Sequence, residues 1–260
     1  MLHSVAGQLS AGGLIQQRPF REPHHSASMA ALVGGGARAK PGKISLAHNG
    51  VLFLDELAEF SRPVLDALRQ PLETGQVVVA RANHHVTYPA RFQLVGAMNP
   101  CRCGYLGDPA RACSRAPQCR RNYSARISGP MLDRFDIIIE VPEVSGQLLF
   151  STKAAEASST IAARVAAAAK FAENHEGLMA DVADNDPSAP SDTALDFGRY
   201  LSAEAAELLR LAVEKQQLSA RGFYKVIRVA RTIANLGQSQ QVGREDVAEA
   251  LAYRMMPLLA

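Results

Sequence analysis

Tryptophan is absent from the 260 residues, and aromatic side chains make up only 6% of them. The core must therefore be aliphatic, and the 47% hydrophobic content is ordinary for a globular chain. No stretch approaches the roughly 20 apolar residues of a membrane-spanning helix. The N-terminus lacks the charged-then-apolar pattern of a secretory signal, so the cytoplasm is the expected location and no membrane partner is expected. Neither sign of charge dominates: 28 Lys and Arg against 25 Asp and Glu leave a formal charge of +3. That excess is too small to imply a nucleic-acid partner by itself. No internal repeat occurs. Also missing is any Gly-x-x-x-x-Gly-Lys-[Ser/Thr], the loop whose backbone amides and Lys cradle phosphates. The nearest stretch, Gly34-Gly35-Gly36-Ala37-Arg38-Ala39-Lys40, has the wrong spacing and runs into Pro41, so it reads as a flexible loop.

What is present is led by residues 50–57, Gly-Val-Leu-Phe-Leu-Asp-Glu-Leu. A continuous apolar run fits a strand covered on both faces, as in a parallel sheet. It stops at Asp55 and Glu56, where open α/β sheets bind ligands. A nucleotide-hydrolysing site needs one carboxylate to hold Mg²⁺ and a second to polarise the attacking water. The alternative is a strand followed by a helix whose acidic first turn suits the helix dipole. Residues 92–99 form another apolar run, ending at Asn99. Residues 128–136, Ser-Gly-Pro-Met-Leu-Asp-Arg-Phe-Asp, place Arg134 just before a third run, 137–141, expected to be a strand. Downstream, Arg221 in Ser-Ala-Arg-Gly-Phe opens a helical pattern.

Between the first two runs, residues 77–81 and 85–88 are β-rich and joined by Ala82-Asn83-His84. This predicts a β-hairpin whose tip carries Arg81, Asn83, His84 and His85. Such groups suit phosphate contacts, or are simply polar residues on a surface hairpin. His24 and His25 are adjacent without a partner pattern and read as satisfied loop imidazoles. All four cysteines fall within 19 residues, Cys101, Cys103, Cys113 and Cys119, spaced C-x-C-x9-C-x5-C in a loop rich in Gly, Pro and Arg. Clustered thiolates suggest tetrahedral Zn²⁺; the alternative is four reduced thiols in a basic loop.

The C-terminal half changes character. Residues 155–173 are Ala-rich without Gly or Pro, which predicts one helix with little face definition. Residues 180–192 are acidic and Pro-punctuated, a linker or exposed loop. Ser202 and Ser219 stand as N-caps before two helical patterns, and Gly243 opens a last helix over 245–254.

The acid pair, the strand-end Asn, the Arg before a strand and the Arg on a late helix together resemble the parts of an AAA+ ATPase. The strings at 18–28, 44–57, 97–109, 128–136 and 219–234 resemble the ComM/YifB group of magnesium-chelatase-like AAA+ proteins, over residues 1 to about 145 and about 200 to 260. The resemblance implies an α/β fold: a partial P-loop-type core over 1–145 with a parallel sheet and a hairpin insertion, a connecting helix and linker over 146–195, and an all-α lid over 196–260. It implies that the first strand and the phosphate loop lie upstream, so that the chain is a truncated product or an expressed fragment, inactive alone. It further implies a hexameric, ATP-driven motor acting on branched DNA in recombination, with the hairpin at residues 81–85 facing the pore. Asp55 would organise Mg²⁺, Glu56 activate water, Asn99 sense the γ-phosphate, Arg134 act as an arginine finger and Arg221 contact phosphate, with Arg228 and Arg231 open to a purely structural role. A non-catalytic, degenerate subunit and a magnesium-chelatase subunit remain the alternatives.

Overall fold

The computed structural model describes residues 2–8, 15–36, 39–81, 84–104, 118–141, 144, 155–175, 200–216 and 218–254. They divide into two compact units, one within residues 1–135 and the other within 136–257.

The first unit is α/β. Its elements run α1 (Leu2–Val5), β1 (Phe20–Arg21), α2 (Met29–Val33), β2 (Gly34–Gly35), β3 (Lys40–Pro41), α3 (Lys43–Leu46), β4 (Val51–Leu54), α4 (Arg62–Asp66), α5 (Arg69–Thr74), β5 (Gln76–Arg81), β6 (His84–Pro89), β7 (Gln93–Gly96), α6 (Gln118–Ser124) and α7 (Gly129–Leu132). β1, β4 and β7 form a parallel sheet with β4 in the centre. Leu52 and Leu54 are fully buried on one face, beside Leu32, Ile44, Leu65, Leu68 and Met131. The other face is only half-covered: Val51 and Phe53 are intermediate, and Phe53 stacks on the exposed Phe20 at 6.1 Å. The continuous apolar run thus serves a strand buried deeply on one side, not equally on both.

The glycine-rich stretch takes a defined form at its ends. Gly34 and Gly35 pair antiparallel with Pro41 and Lys40, and Gly34 has φ +112°, a conformation L side chains rarely adopt. Residues 37 and 38 lie outside the described residues. The predicted hairpin is present as β5 and β6, in register from Gln76 against Pro89 to Arg81 against His84. Val77 and Val79 are buried while Val78 is exposed, the alternation of a half-buried ribbon. Tyr88 ties it to the unit by donating its hydroxyl to the Ala39 carbonyl at 2.8 Å.

The second unit is helical among the described residues: α8 (Ser158–His175), α9 (Ala203–Gln216), α10 (Ala220–Leu236) and α11 (Arg244–Ala252). Both predicted serine caps form. Ser202 Oγ accepts from Ala205 N–H at 3.1 Å, and Ser219 Oγ from Gly222 N–H at 3.1 Å. α10 is the central helix, burying Val226, Ile227, Ala230 and Ala234 against Leu209, Val247 and Leu251. α8 buries only Ala168 and leaves Ile161 and Val165 exposed, as its alanine richness implied. The acidic stretch at 180–192 lies outside the described residues.

One expectation fails. Residues 137–141 form no strand: Ile138 N–H donates to the Tyr253 carbonyl at 3.0 Å, and Ile137, Ile139 and Val141 are exposed. An apolar run becomes a strand only where a neighbouring edge offers a ladder. A single carbonyl at the end of α11 does not provide one.

β4 has little room at its start. Gly50 lies so close to the preceding segment that an added Cβ would stand 1.9 Å from the Pro19 carbonyl oxygen. That carbonyl also accepts Val51 N–H at 2.8 Å. Gly50→Ala should therefore part β1 from β4 and lower the unfolding free energy by about 1–3 kcal/mol or more, read as a fall in the urea midpoint. An unchanged midpoint would show that the contact relaxes freely.

Candidate nucleotide site at the carboxyl edge of the sheet

Because β4 and β7 are parallel and in register, Leu54 opposite Gly96, both release their chains at the same edge. Ala97 N–H donates to the Leu54 carbonyl and Leu57 N–H returns to the Ala97 carbonyl, each at 2.9 Å. This lacing continues the ladder past the last paired residues. It brings Asp55, Glu56 and Asn99, all exposed, out at one edge.

Glu56 does not lie in a helical first turn. It has φ +50° and ψ +46°, in the left-handed region, and precedes a single 3₁₀ turn, Leu57–Glu59. A non-glycine residue pays roughly 1–2 kcal/mol there. The strain is held in place locally: Asp55 Oδ1 accepts the Glu56 N–H at 2.8 Å. Arg126 clamps the turn that follows, donating to the Ala58 carbonyl at 3.0 Å and to Glu59 Oε2 at 2.7 Å. Ser128 Oγ, one turn on, donates to Asp66 at 2.8 Å.

The Glu56 carboxylate has a partner that the sequence reading did not identify. His25 Nδ1 stands 2.7 Å from Glu56 Oε2, with the His side chain 34% and the Glu side chain 51% exposed. His24 packs its ring on His25 at 4.1 Å and meets Ser26 Oγ through Nδ1 at 2.8 Å. The imidazoles are satisfied, as expected, but the partner of His25 is the candidate water-activating acid. Only the string Arg-Glu-Pro-His-His, already part of the resemblance, hinted at it. A groove of about 670 Å³ opens beside this pair, lined by His25, Phe60, Ser61, Arg62 and Arg126 among others. Burial, then the charges of Glu59 and Glu56, push the Tyr123 phenol above its ordinary value, with Arg126 opposing.

Arg134 follows α7 with its side chain only 8% exposed. It pairs with Glu73 of α5 and donates to the Pro130 carbonyl. Asp136 faces Lys225 at 3.0 Å and Arg228 at 3.5 Å within the second unit. Burial lowers the pKa of Lys225, opposed by that carboxylate. Arg221 is half-buried in the first turn of α10. Arg231 is buried and donates to the Gln240 carbonyl at 2.7 Å, so Arg228 and Arg231 have structural partners. Of the hairpin tip, Ala82 and Asn83 lie outside the described residues, and His85 sits back from the turn opposite Ala80 with its ring exposed. Of the cysteine set, Cys101, Cys103 and Cys119 are brought together, and Cys113 lies outside the described residues.

Comparison with known proteins gives two family matches: magnesium chelatase, subunit ChlI, over residues 1–149, and the C-terminal part of the same subunit over 155–254. The chain is 46% identical to the competence protein ComM of Haemophilus influenzae, over 93% of this chain and 46% of that protein. It is 44% identical to YifB of Escherichia coli, over 94% of this chain and 47% of YifB. A magnesium-chelatase 38 kDa subunit of Cereibacter sphaeroides is 36% identical over 27% of this chain and 21% of its own length. The chain spans about half the length of the ComM and YifB relatives it matches.

The left-handed Glu56 can be tested apart from any activity. Glu56→Gly and Glu56→Ala both lose His25, so their difference isolates the backbone. The Gly variant should be about 1 kcal/mol more stable than the Ala variant in urea unfolding. Equal stability would mean that Glu56 is not held in this conformation.

Proposed function

The chain belongs to the magnesium chelatase ChlI family as a ComM/YifB-type member, and on that premise we propose that it is part of an ATP-hydrolysing ring motor acting on DNA. The observation that carries this reading is the edge itself: two carboxylates and an amide emerge together from adjacent parallel strands, with the second carboxylate in a strained backbone conformation. Such strain persists where the surroundings over-determine it, and it clusters at functional sites.

The donor set fits a hard divalent cation with oxygen ligands. Asp55 Oδ1 accepts the Glu56 N–H, and Glu56 Oε2 pairs with His25. Asp55 is the residue that would hold Mg²⁺, which neutralises charge on the phosphates of ATP. Glu56 takes the proton of the attacking water. His25 points that carboxylate while the site is at rest, and the water competes with it for the same oxygens. Asn99 orients the water or the terminal phosphate from the neighbouring strand. Arg221, from the helical unit acting as a lid, contacts phosphate. The phosphate-cradling loop is not in this sequence, so the chain alone should release no phosphate above background.

Arg134 serves a neighbouring subunit's nucleotide as an arginine finger. Its pairing with Glu73 is then the resting arrangement, and reaching across an interface requires that pair to open. The hairpin β5–β6, inserted between β4 and β7 in sequence, is the element assigned to DNA. A role in metal insertion is the reading suggested by the magnesium chelatase family matches over 1–149 and 155–254, although the magnesium-chelatase 38 kDa subunit itself aligns over only 70 residues. The ComM similarity extends over 243 residues and supports the ComM-type reading on which the proposed DNA motor rests.

The test uses a version of the protein that carries a phosphate loop ahead of residue 2. Glu56→Gln should bind ATP and not hydrolyse it. Arg134→Ala should lower hydrolysis by about 10³-fold or more with ATP binding largely kept, because a guanidinium in trans stabilises the transition state more than the ground state. Mixed rings of the two variants should recover hydrolysis at interfaces that pair an intact acid with an intact arginine. Mixed rings that form and stay inactive at every ratio, or an Arg134→Ala protein that is unfolded by circular dichroism, would leave Arg134 as an anchor for α7 only.

A further inference from the structure

We propose that Cys101, Cys103 and Cys119 bind a single Zn²⁺ ion that staples the segment after β7 to the start of α6. Cys101 and Cys103 lie in the turn following Asn99, and Cys119 lies in the first turn of α6. The chain between them is long, yet their three Sγ atoms all lie within 4.8 Å of one another. Two of them, Cys101 and Cys103, are 3.1 Å apart. The turn that brings them together is closed by Gly104, whose N–H donates to the Cys101 carbonyl at 3.1 Å. The turn folds Cys103 over Cys101, so that a C-x-C pair presents both sulfurs to one point.

The size of the sulfur set selects the occupant. A tetrahedral ion with Zn–S bonds of about 2.3 Å holds its sulfurs about 3.8 Å apart, within the span seen here. An iron–sulfur cluster spreads its cysteines over several metal atoms and needs a wider set. Hard cations such as Mg²⁺ and Ca²⁺ take oxygen ligands, and soft thiolates select zinc or another thiophilic ion. A Cys101–Cys103 disulfide would use two of the three sulfurs and leave the convergence of Cys119 unexplained. Coordination needs no redox step: each ligating thiol gives its proton to solvent as the Zn–S bond forms. The fourth cysteine of the chain, Cys113, lies outside the described residues.

The ion has a structural task. Asn99 precedes Cys101 by two residues, and Arg126, which clamps the turn after Glu56, follows α6. Tying Cys101 and Cys103 to Cys119 therefore secures both the amide and the clamp of the candidate site. Its failure would be seen independently of any nucleotide chemistry.

The experiment is elemental analysis of the whole chain, expressed with zinc in the medium and purified without chelator. About one zinc per chain is expected, and Cys119→Ser should weaken its retention by about 100-fold or more. Chelator should lower the melting temperature of the unsubstituted chain and leave that of Cys119→Ser unmoved. If Cys119→Ser fails to fold, the unsubstituted chain still decides the matter. Loaded with Co²⁺, it should show the thiolate-to-metal charge-transfer absorption of a tetrahedral site. A chain that is purified folded without zinc and gives no such absorption would overturn the proposal, as would a Cys101–Cys103 disulfide found by mass spectrometry in the freshly purified protein.

Discussion

Backbone hydrogen bonds on both sides of β4 decide where each group of the candidate site emerges. The strand is only four residues long, Val51–Leu54, so it has little intrinsic tendency to hold a register. Its pairing is set by what surrounds it. Gly50 allows the Pro19 segment to close on one side, and the lacing from Leu54 through Ala97 to Leu57 closes the other. Because both neighbours run parallel to β4, the chain leaves β4 and β7 at the same edge. A one-residue slip would turn Leu52 and Leu54 out of the core and Val51 and Phe53 into it. The burial of two leucines is thus what keeps Asp55 and Glu56 next to Asn99.

The edge shows a division between stability and chemistry. Glu56 sits in a backbone conformation that a glycine would occupy at less cost, and its side chain is half-exposed. Nothing in core packing requires a glutamate there. What holds it is polar and local: the Asp55 carboxylate on its amide, Arg126 on the following turn and His25 on its own carboxylate. Each of these contacts is partly exposed and individually modest. Together they set the direction of one oxygen-bearing group, which is what a water-activating residue needs. Arg134 and Glu73 pose the opposite arrangement, an arginine largely withdrawn from solvent and satisfied within its own unit.

Much of the first unit could be read in the chain because its signals are local. The apolar run before Asp55, the run before Asn99 and the β-rich segments at 77–81 and 85–88 each became the element expected, as did the serine caps at 202 and 219 in the second unit. The third run, 137–141, had the same local signal and did not become a strand, because a ladder needs a partner edge and none stands beside it among the described residues. The α-helical alternative for the acid pair failed for a related reason. The chain turns after Leu54 through a left-handed residue into a single 3₁₀ turn, and no local pattern announces that conformation at a glutamate.

The sequence by itself therefore determined the strand and helix candidates, the acid pair at a strand end, the cysteine clustering and the family. These depend on periodicity, turn chemistry and motif spacing within short windows. The tertiary structure alone decided the pairings: His25 on Glu56, Arg126 on the turn behind it, Arg134 on Glu73, and Cys119 on Cys101 and Cys103. Each joins residues distant in sequence, 61 apart for Arg134 and Glu73 and 68 for Arg126 and Ala58. Side chains so separated meet only after burial of the aliphatic core has fixed the elements that carry them, and no local pattern encodes which will face which.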